Sequence, residues 1–241
     1  MRSKLNRREA LAGVGSVSLG ALLAACGADE EATTTSVAAT GGETTVQSRG
    51  GSGLAALFDE TSACTLTAEQ TEGPYYFDVD KIRSDIREDR EGVELRLAVR
   101  VRAAEGCEAL RNVVVEIWHA DAGGIYSGFD SGAGEEFLRG AQVTDADGIV
   151  EFTTIYPGWY VGRTPHIHAM VHVDNSTALT TQLYFDDAVS TAVYDGGSPY
   201  QTNEGRVTND ADGIFDGSLV LDLSEEGNGY LGAISFDVAA A

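Results

Sequence analysis

The sequence predicts an all-β fold, a single β-sandwich domain preceded by a signal peptide and a disordered tether. Stretches of alternating or β-branched residues recur at intervals of about 10 to 15 residues, as in sandwiches and barrels. Turn signals such as Asp147-Gly148 and Gly196-Gly197 separate them. Residues 81–90 (KIRSDIREDR) are the stretch with helical character, and they are short. Strands therefore dominate the prediction.

The chain begins with the features of a bacterial export signal. Residues 1–26 combine a basic start, an apolar run from about Leu11 to Ala25 and small residues before Cys26. The ending LAAC resembles a lipobox, which predicts acylation of Cys26, and Arg7-Arg8 resembles a twin-arginine signal. We expect an exported protein, either a membrane-anchored cell-surface lipoprotein or a free extracellular or periplasmic form. A plain cleavable signal with an incidental cysteine is the alternative, and the export route stays open.

Residues 27–60 are predicted to form a flexible linker, because they are dominated by Gly, Ala, Ser, Thr and Glu. The folded domain then spans residues 61–241, which is long enough for one domain with a sizeable core.

The formal net charge of −22 argues against polyanionic partners. Such a surface repels nucleic acid and anionic lipid headgroups, so we expect no nucleic-acid binding and membrane contact only through the lipid anchor.

Two cysteines remain once Cys26 is assigned to the lipid. Cys64 and Cys107 are an even pair in an exported domain, for which a disulfide is the expected state. The alternative, a pair of metal ligands, lacks a nearby Cys or His with zinc-like spacing.

The predicted strands follow one another along the domain. Residues 93–103 (VELRLAVRVRA) alternate without a fault, with Val and Leu on one face and mainly Arg on a solvent-facing side. The other predicted strands are 112–120, 141–144, 149–155, 166–173, 179–185, 217–223 and 232–238.

Three of the four histidines lie within residues 158–172 (GWYVGRTPHIHAMVH). On a strand, His166 and His168 point to the same face and can present two imidazoles to one ion. Tyr160 lies six residues earlier, and Tyr126 follows a glycine-rich turn. These junctions between loops and strands favour a metal centre, although paired histidines and single tyrosines also occur as ordinary structural residues.

Four stretches together resemble the intradiol ring-cleavage dioxygenases, the family that contains protocatechuate 3,4-dioxygenase and catechol 1,2-dioxygenase. They are QTEGPYYFD (70–78), VVVEIWHADAGGIYSG (113–128), FLRGAQVTDADG (137–148) and YPGWYVGRTPHIH (156–168). The resemblance covers nearly all of residues 61–238, in the family's order. It implies one non-haem Fe(III) per chain, held by Tyr126, Tyr160, His166 and His168. His119 and His172 fall outside that set.

The resemblance also implies a reaction. A catechol-type diol and O2 would give a cis,cis-muconate-type dicarboxylic acid, with the ring opened between the two hydroxyl-bearing carbons. Tyr160 would be the ligand that the substrate displaces, and would act as the general base. Arg163 would stabilise negative charge on the ring, and Gln182 would lie near the substrate oxygens. The family's substrate pocket is lined by the segment that corresponds to Gly73, Pro74 and Tyr75.

The chemistry of these residue types agrees with the resemblance. Phenolate is a hard anionic donor that favours Fe(III), and two tyrosinates with one hydroxide would cancel its charge in a poorly solvated pocket. The chain departs from some relatives at Gly162, where they carry tryptophan, which predicts a more open pocket. The interval between Tyr160 and the histidines is also shorter, which suggests trimmed loops.

Two other functions remain open from the sequence. His119 and Asp121, with a distant histidine, could form the facial triad of an Fe(II) oxygenase. The chain could also be a non-catalytic β-sandwich that binds a surface ligand. The physiological diol and the oligomeric state, including a homodimer, are left open.

Overall fold

The computed structural model describes residues 35–39, 42–46, 53–58 and 63–239. The predicted signal peptide and Cys26 lie outside the described residues. Within the predicted linker the structure has a two-stranded antiparallel pair, β1 (Thr35–Ala39) with β2 (Gly42–Val46), and a 3-10 turn at Leu54–Leu57. The flexibility of the linker stays a prediction.

The domain is a β-sandwich of two four-stranded sheets, as predicted. Its elements in chain order are β3 (Glu94–Ala103), β4 (Val114–Trp118), β5 (Arg139–Val143), β6 (Ile149–Ile155), β7 (His166–Val173), β8 (Ser176–Tyr184), α1 (Asp187–Asp195), β9 (Asp222–Glu226) and β10 (Gly229–Val238). One sheet has the order β6-β3-β10-β9 and the other β5-β4-β7-β8. β10 runs parallel to β3, and the remaining neighbours in both sheets are antiparallel.

The core lies between the sheets and follows the alternation of side chains along each strand. The inward-facing residues of β3, β4 and β7 are fully buried; they are Leu95, Leu97, Val99, Val101, Val115, Ile117, Ile167, Ala169 and Val171. Burying each of the larger ones contributes about 1.5 to 3 kcal/mol. Because these residues point inward, the residues that alternate with them on β7, including His166 and His168, point to the outer face of their sheet.

The second face of β3 is less exposed than the sequence predicts. Ala98 is buried under the 3-10 turn, where Leu54 and Phe58 pack against it. Arg102 is also buried and forms an ion pair with Asp237 on β10, at 2.8 Å. The packed part of the chain therefore includes residues 54–58, ahead of the predicted domain boundary at 61.

The helical character expected for residues 81–90 is absent from the structure. This segment pairs its backbone with two strands: Arg83 N–H donates to the carbonyl of Ala141, and Ile86 N–H donates to that of Thr153. Ile86 is fully buried between them. Long-range backbone hydrogen bonds and burial of one isoleucine thus outweigh the local helical preference.

The helix α1 is absent from the sequence-based prediction. Asp186 caps it by accepting a hydrogen bond from the N–H of Ala188 at 2.7 Å, and Val193 and Tyr194 bury its inner face. The capping aspartate is a usable signal for this helix. The predicted strand 217–223 also differs, because residues 217–219 form a 3-10 turn and the strand begins at Asp222.

The Cys64–Cys107 disulfide is confirmed, with a Cα–Cα distance of 5.6 Å. It opens an extended segment, residues 63–77, which we call the strap. The strap follows the sandwich through backbone hydrogen bonds from Thr67 to Asp237 and from Gln70 to Thr180. It thereby brings residues 71–77 to the outer face of the β5-β4-β7-β8 sheet.

Among the described residues, no helix has the length and apolar character needed to cross a membrane.

Candidate metal centre

The two histidines of β7 are held rigidly from several sides. His166 donates from Nδ1 to the carbonyl oxygen of Thr164 at 2.7 Å, which leaves the lone pair on Nε2. His168 stacks on the indole of Trp118, with ring centroids 4.9 Å apart and an interplanar angle of 4°. Gly73 of the strap approaches so closely that a Cβ there would lie 3.2 Å from His168 Cε1. Both rings therefore have fixed orientations.

Tyr126 lies in the loop after β4, at the end of a tight turn. The carboxylate of Asp121 accepts the N–H groups of Gly123 and Ile125 at 2.9 and 3.0 Å. Gly124 has a φ of +81° and lies so close to the carbonyl of Trp159 that no side chain fits. Tyr126 is buried and stacks on Tyr75 of the strap at 4.5 Å.

Tyr160 lies in the loop between β6 and β7. A short turn follows it, in which Arg163 N–H donates to the Tyr160 carbonyl at 3.3 Å and Gly162 has a φ of +91°. Gly162 is exposed, and no described atom lies within 4 Å of the point that a Cβ would occupy there. The more open pocket expected from this glycine stays a prediction.

The structure brings the four predicted ligands together at His166 Nε2. This atom lies 3.4 Å from Tyr126 Oη, 3.1 Å from Tyr160 Oη and 3.2 Å from His168 Nε2. One lone pair cannot satisfy three such neighbours as a hydrogen-bond acceptor. The other three donor atoms therefore all lie within 3.4 Å of this nitrogen.

Burial sets the protonation of this cluster. Desolvation lowers the pKa of His166 to about 3, aided by the charge of Arg163, and also lowers that of His168. Both imidazoles are neutral at neutral pH and have lone pairs for a metal. Desolvation raises the pKa of Tyr126 and of Tyr160, while Arg163 opposes the rise at Tyr160. Without a cation, both phenols keep their protons.

The arrangement fits a first-row metal ion. Such ions bind nitrogen and oxygen at about 2.0 to 2.2 Å, which sets neighbouring ligands about 3 to 3.5 Å apart. The observed donor spacings are within that range. Two phenols among four donors favour a hard, highly charged ion such as Fe(III).

Arg163 and Gln182 lie beside the donor set and contact one another. Arg163 Nη2 donates to Gln182 Oε1 at 2.6 Å, and Gln182 Nε2 donates to the Thr71 carbonyl at 2.7 Å. Gln182 is fully buried on β8, directly opposite His168 in the strand register. In the strap, Gly73 lies against His168 and Tyr75 meets Tyr160 edge to face at 6.0 Å, whereas Pro74 between them is exposed.

Two residues of this region were not identified from the sequence. Asp212 accepts a hydrogen bond from Arg163 Nε at 2.8 Å. Arg139 on β5 is buried beneath the ring of Phe77, and donates to Ser127 Oγ at 2.8 Å and to the Tyr75 carbonyl at 2.7 Å. Its burial lowers its pKa to about 10. The preceding Leu138, with a positive φ of 55°, gave no signal in the sequence.

The other two histidines lie outside the donor set, as expected. His119 is fully buried, and its ring nitrogens contact the Ala120 carbonyl at 2.8 Å and Thr154 Oγ1 at 2.7 Å. His172 lies near Thr177 and Glu116. Because both nitrogens of His119 are engaged, and the Asp121 carboxylate holds its own turn, the geometry disfavours the facial-triad alternative.

Among the described residues, no group of three or more His, Cys, Asp or Glu side chains forms a separate metal site.

Comparison with known proteins supports the resemblance to the intradiol ring-cleavage dioxygenases. A family model described as Dioxygenase matches residues 71–196, just over half of the chain. The chain is 32% identical over 195 residues to catechol 1,2-dioxygenase of Acinetobacter baylyi, covering 65% of this chain and 61% of that protein. It is 35% identical over 143 residues to catechol 1,2-dioxygenase 1 of Acinetobacter lwoffii, covering 48% and 45% respectively. The chain thus spans about half to three fifths of these relatives.

Solved structures agree with the sequence matches. An intradiol ring-cleavage dioxygenase of Tetranychus urticae superposes with a TM-score of 0.69 and 34% identity, covering 73% of this chain and 95% of that one. The dioxygenase domain of a dioxygenase carbohydrate-binding protein fusion from Streptomyces sp. SirexAA-E gives a TM-score of 0.59 and 32% identity, covering 73% and 100%. The chain belongs to the intradiol ring-cleavage dioxygenase family.

Proposed function

We propose that this protein is an Fe(III)-dependent intradiol dioxygenase that converts a catechol-type diol and O2 into a cis,cis-muconate-type dicarboxylic acid. The observation that carries the proposal is the convergence of two phenol and two imidazole donors at 3.1 to 3.4 Å. Family membership supports the same reaction. Tyr126, Tyr160, His166 and His168 would hold one iron per chain. When bound, Fe(III) would act as a Lewis acid that activates the diol for reaction with O2.

The two tyrosines have different surroundings, which supports different roles. Tyr126 is buried and stacked on Tyr75, so it is fixed in place. Tyr160 is only half-buried, on a loop beside Arg163. Tyr160 is therefore the better candidate for a base that leaves its position and takes a proton from the substrate hydroxyl. Arg163 would then stabilise negative charge on the ring.

The site favours diols without a ring carboxylate. Arg163 is ion-paired with Asp212, and Arg139 is buried beneath Phe77. The formal charge of −22 also opposes an anionic substrate. We expect a higher kcat/KM for catechol than for protocatechuate, because Arg163 already pairs with Asp212 and Gln182 and has little capacity left for a second carboxylate.

The test uses purified protein loaded with Fe(III). O2 uptake and diacid formation would be followed with catechol, protocatechuate, hydroxyquinol and bulkier lignin-derived diols. The Tyr126→Phe and Tyr160→Phe variants should lose the visible tyrosinate band in part and should lose turnover. Tyr230→Phe, on the opposite sheet, is the matched control and should keep both.

The runner-up function is a non-catalytic binding module. It predicts that the two substitutions at Tyr126 and Tyr160 leave iron content and visible absorption unchanged. Colourless, inert protein after iron loading would overturn the dioxygenase proposal.

We also propose that the protein is exported and anchored through Cys26. The lipobox-like ending of residues 1–26 supports the anchor. The Cys64–Cys107 disulfide supports an oxidising compartment. Metabolic labelling with a fatty-acid analogue should mark the wild-type protein and not Cys26→Ser, and labelling of both or neither would contradict the anchor.

A further inference from the structure

Asp212 has an unusual environment for an aspartate that no strand or helix holds. Its side chain is almost fully buried, and it accepts three hydrogen bonds. Oδ2 accepts from Arg163 Nε at 2.8 Å and from Thr164 N–H at 2.9 Å, while Oδ1 accepts from Ile214 N–H at 3.0 Å. Burial raises its pKa, but these hydrogen bonds and the Arg163 charge outweigh that effect, and the net shift is downward. The buried group is therefore a carboxylate at neutral pH.

The segment that carries Asp212 is fastened to the loop between β6 and β7. Thr164 Oγ1 donates to Asn209 Oδ1 at 2.7 Å, and Asn209 Nδ2 donates to the Phe185 carbonyl at 2.8 Å. Thr164 is also the residue whose carbonyl accepts the proton of His166 Nδ1. The carboxylate thus has a fixed position relative to the donor set.

The guanidinium of Arg163 is held at two of its three nitrogens. Nε is fixed by Asp212, and Nη2 is fixed by Gln182 Oε1 at 2.6 Å. Two anchored nitrogens define the plane of the group and leave Nη1 as the remaining edge. Arg163 N–H donates to the Tyr160 carbonyl at 3.3 Å, so Arg163 belongs to the same turn as the half-buried candidate base. Without Asp212, Nε would lose this partner, and the group would be held at Nη2, by Gln182 Oε1 at 2.6 Å and by the longer contact with Tyr184 Oη at 3.5 Å.

We propose that Asp212 is a positioning residue of the dioxygenase site, which sets the orientation of the Arg163 guanidinium toward the substrate. This inference rests on the proposed function, because Arg163 is the group assumed to meet charge on the ring. A displacement of about 1 Å in such a group is enough to reduce turnover about 100-fold. The competing view is that Asp212 only stabilises the 209–214 segment.

The experiment compares Asp212→Asn with Asp216→Asn in Fe(III)-loaded protein. Asp216 is a suitable control because it also accepts hydrogen bonds within a turn, from Ser218, and has no hydrogen bond to Arg163. Each substitution would be made in the wild-type and Arg163→Ala backgrounds, with catechol as substrate.

We expect Asp212→Asn to lower kcat about 10- to 100-fold, with KM changed less than about threefold. In the Arg163→Ala background, the same substitution should change kcat less than about twofold, because the group that it positions is gone. Asp216→Asn should have less than about a twofold effect in both. An equal loss of kcat with and without Arg163 would show a purely structural role and overturn the proposal, as would an unchanged kcat.

A second measurement does not depend on turnover. In protein loaded with diamagnetic Ga(III), the 15N NMR signal of the Arg163 Nε–H group should be protected from exchange. Asp212→Ala, which has no side-chain acceptor, should remove that protection, whereas Asp216→Ala should keep it. Retained protection in Asp212→Ala would also overturn the proposal. Asp212→Glu, which keeps the charge, replaces Asp212→Asn if that variant does not fold, and should show the same pattern more weakly.

The two proposals fail separately. Wild-type protein that cleaves no diol contradicts the proposed function, whereas the NMR comparison still decides whether Asp212 orients Arg163.

Discussion

Removing the Cys64–Cys107 disulfide should cost about 4 kcal/mol of unfolding free energy. The two cysteines are 43 positions apart, and the chain-entropy model gives about 4 kcal/mol for closing a loop of that length at 25 °C. For a domain of this size the loss corresponds to a drop in Tm of about 8 to 16 °C. The measurement is urea denaturation of wild-type protein and the Cys64→Ser/Cys107→Ser variant, analysed by linear extrapolation.

The control is the reducing agent itself. Reductant should destabilise the wild-type protein toward the variant and leave the variant unchanged. A difference below about 1 kcal/mol between oxidised wild type and the variant would refute the loop-entropy reasoning, because native-state relaxation or residual unfolded-state structure would then dominate.

Three further outcomes can be tested. Gly73→Ala should destabilise the fold by about 1 to 2 kcal/mol, because Gly73 has a φ of +70°. It should also weaken iron binding, because the new Cβ would press on His168. Unchanged iron affinity, measured by chelator competition, would contradict this. His119→Ala should lower the free energy of unfolding by about 1 to 3 kcal/mol, because it leaves the Thr154 hydroxyl without its partner. The iron content, measured by elemental analysis, should not change. The facial-triad alternative instead requires the variant to lose its iron. The pKa of Asp212 is lower in the folded protein than its ordinary value of about 4, which adds stability above that pH. This stability is lost as the pH falls through the folded pKa, so the unfolding free energies of wild type and Asp212→Asn should converge below about pH 4. A difference that stays constant with pH would contradict the shift.

The sequence predicts the sandwich well because the alternation of apolar and polar residues is local, and burial of the apolar face in the core stabilises the same strands. Residues 93–103 show this, since their apolar set became the buried face of β3. The expectation for residues 81–90 failed for the opposite reason. Their charged composition is compatible with a helix, but Ile86 is buried with the backbone extended. The helix propensity of a segment does not reveal whether a strand elsewhere in the chain can form backbone hydrogen bonds with it.

The four donor residues also divide into two that local sequence predicts and two that it does not. The placement of His166 and His168 on one face follows from the two-residue period of a strand. Tyr126 and Tyr160 could be joined to them only through family resemblance, because their loops are positioned by contacts between distant residues. Asp212 offered no pattern at all, since its partner Arg163 is 49 residues away in the chain.

The strap has a mechanical consequence for a chain held at its N-terminus. Tension applied ahead of residue 53 would meet the packing of Leu54 and Phe58 first, and then the covalent Cys64–Cys107 bond. The sandwich would take up the load at those points. Gly73 and Tyr75, which follow these points in the chain, would carry no tension, so the donor residues beside them would keep their geometry.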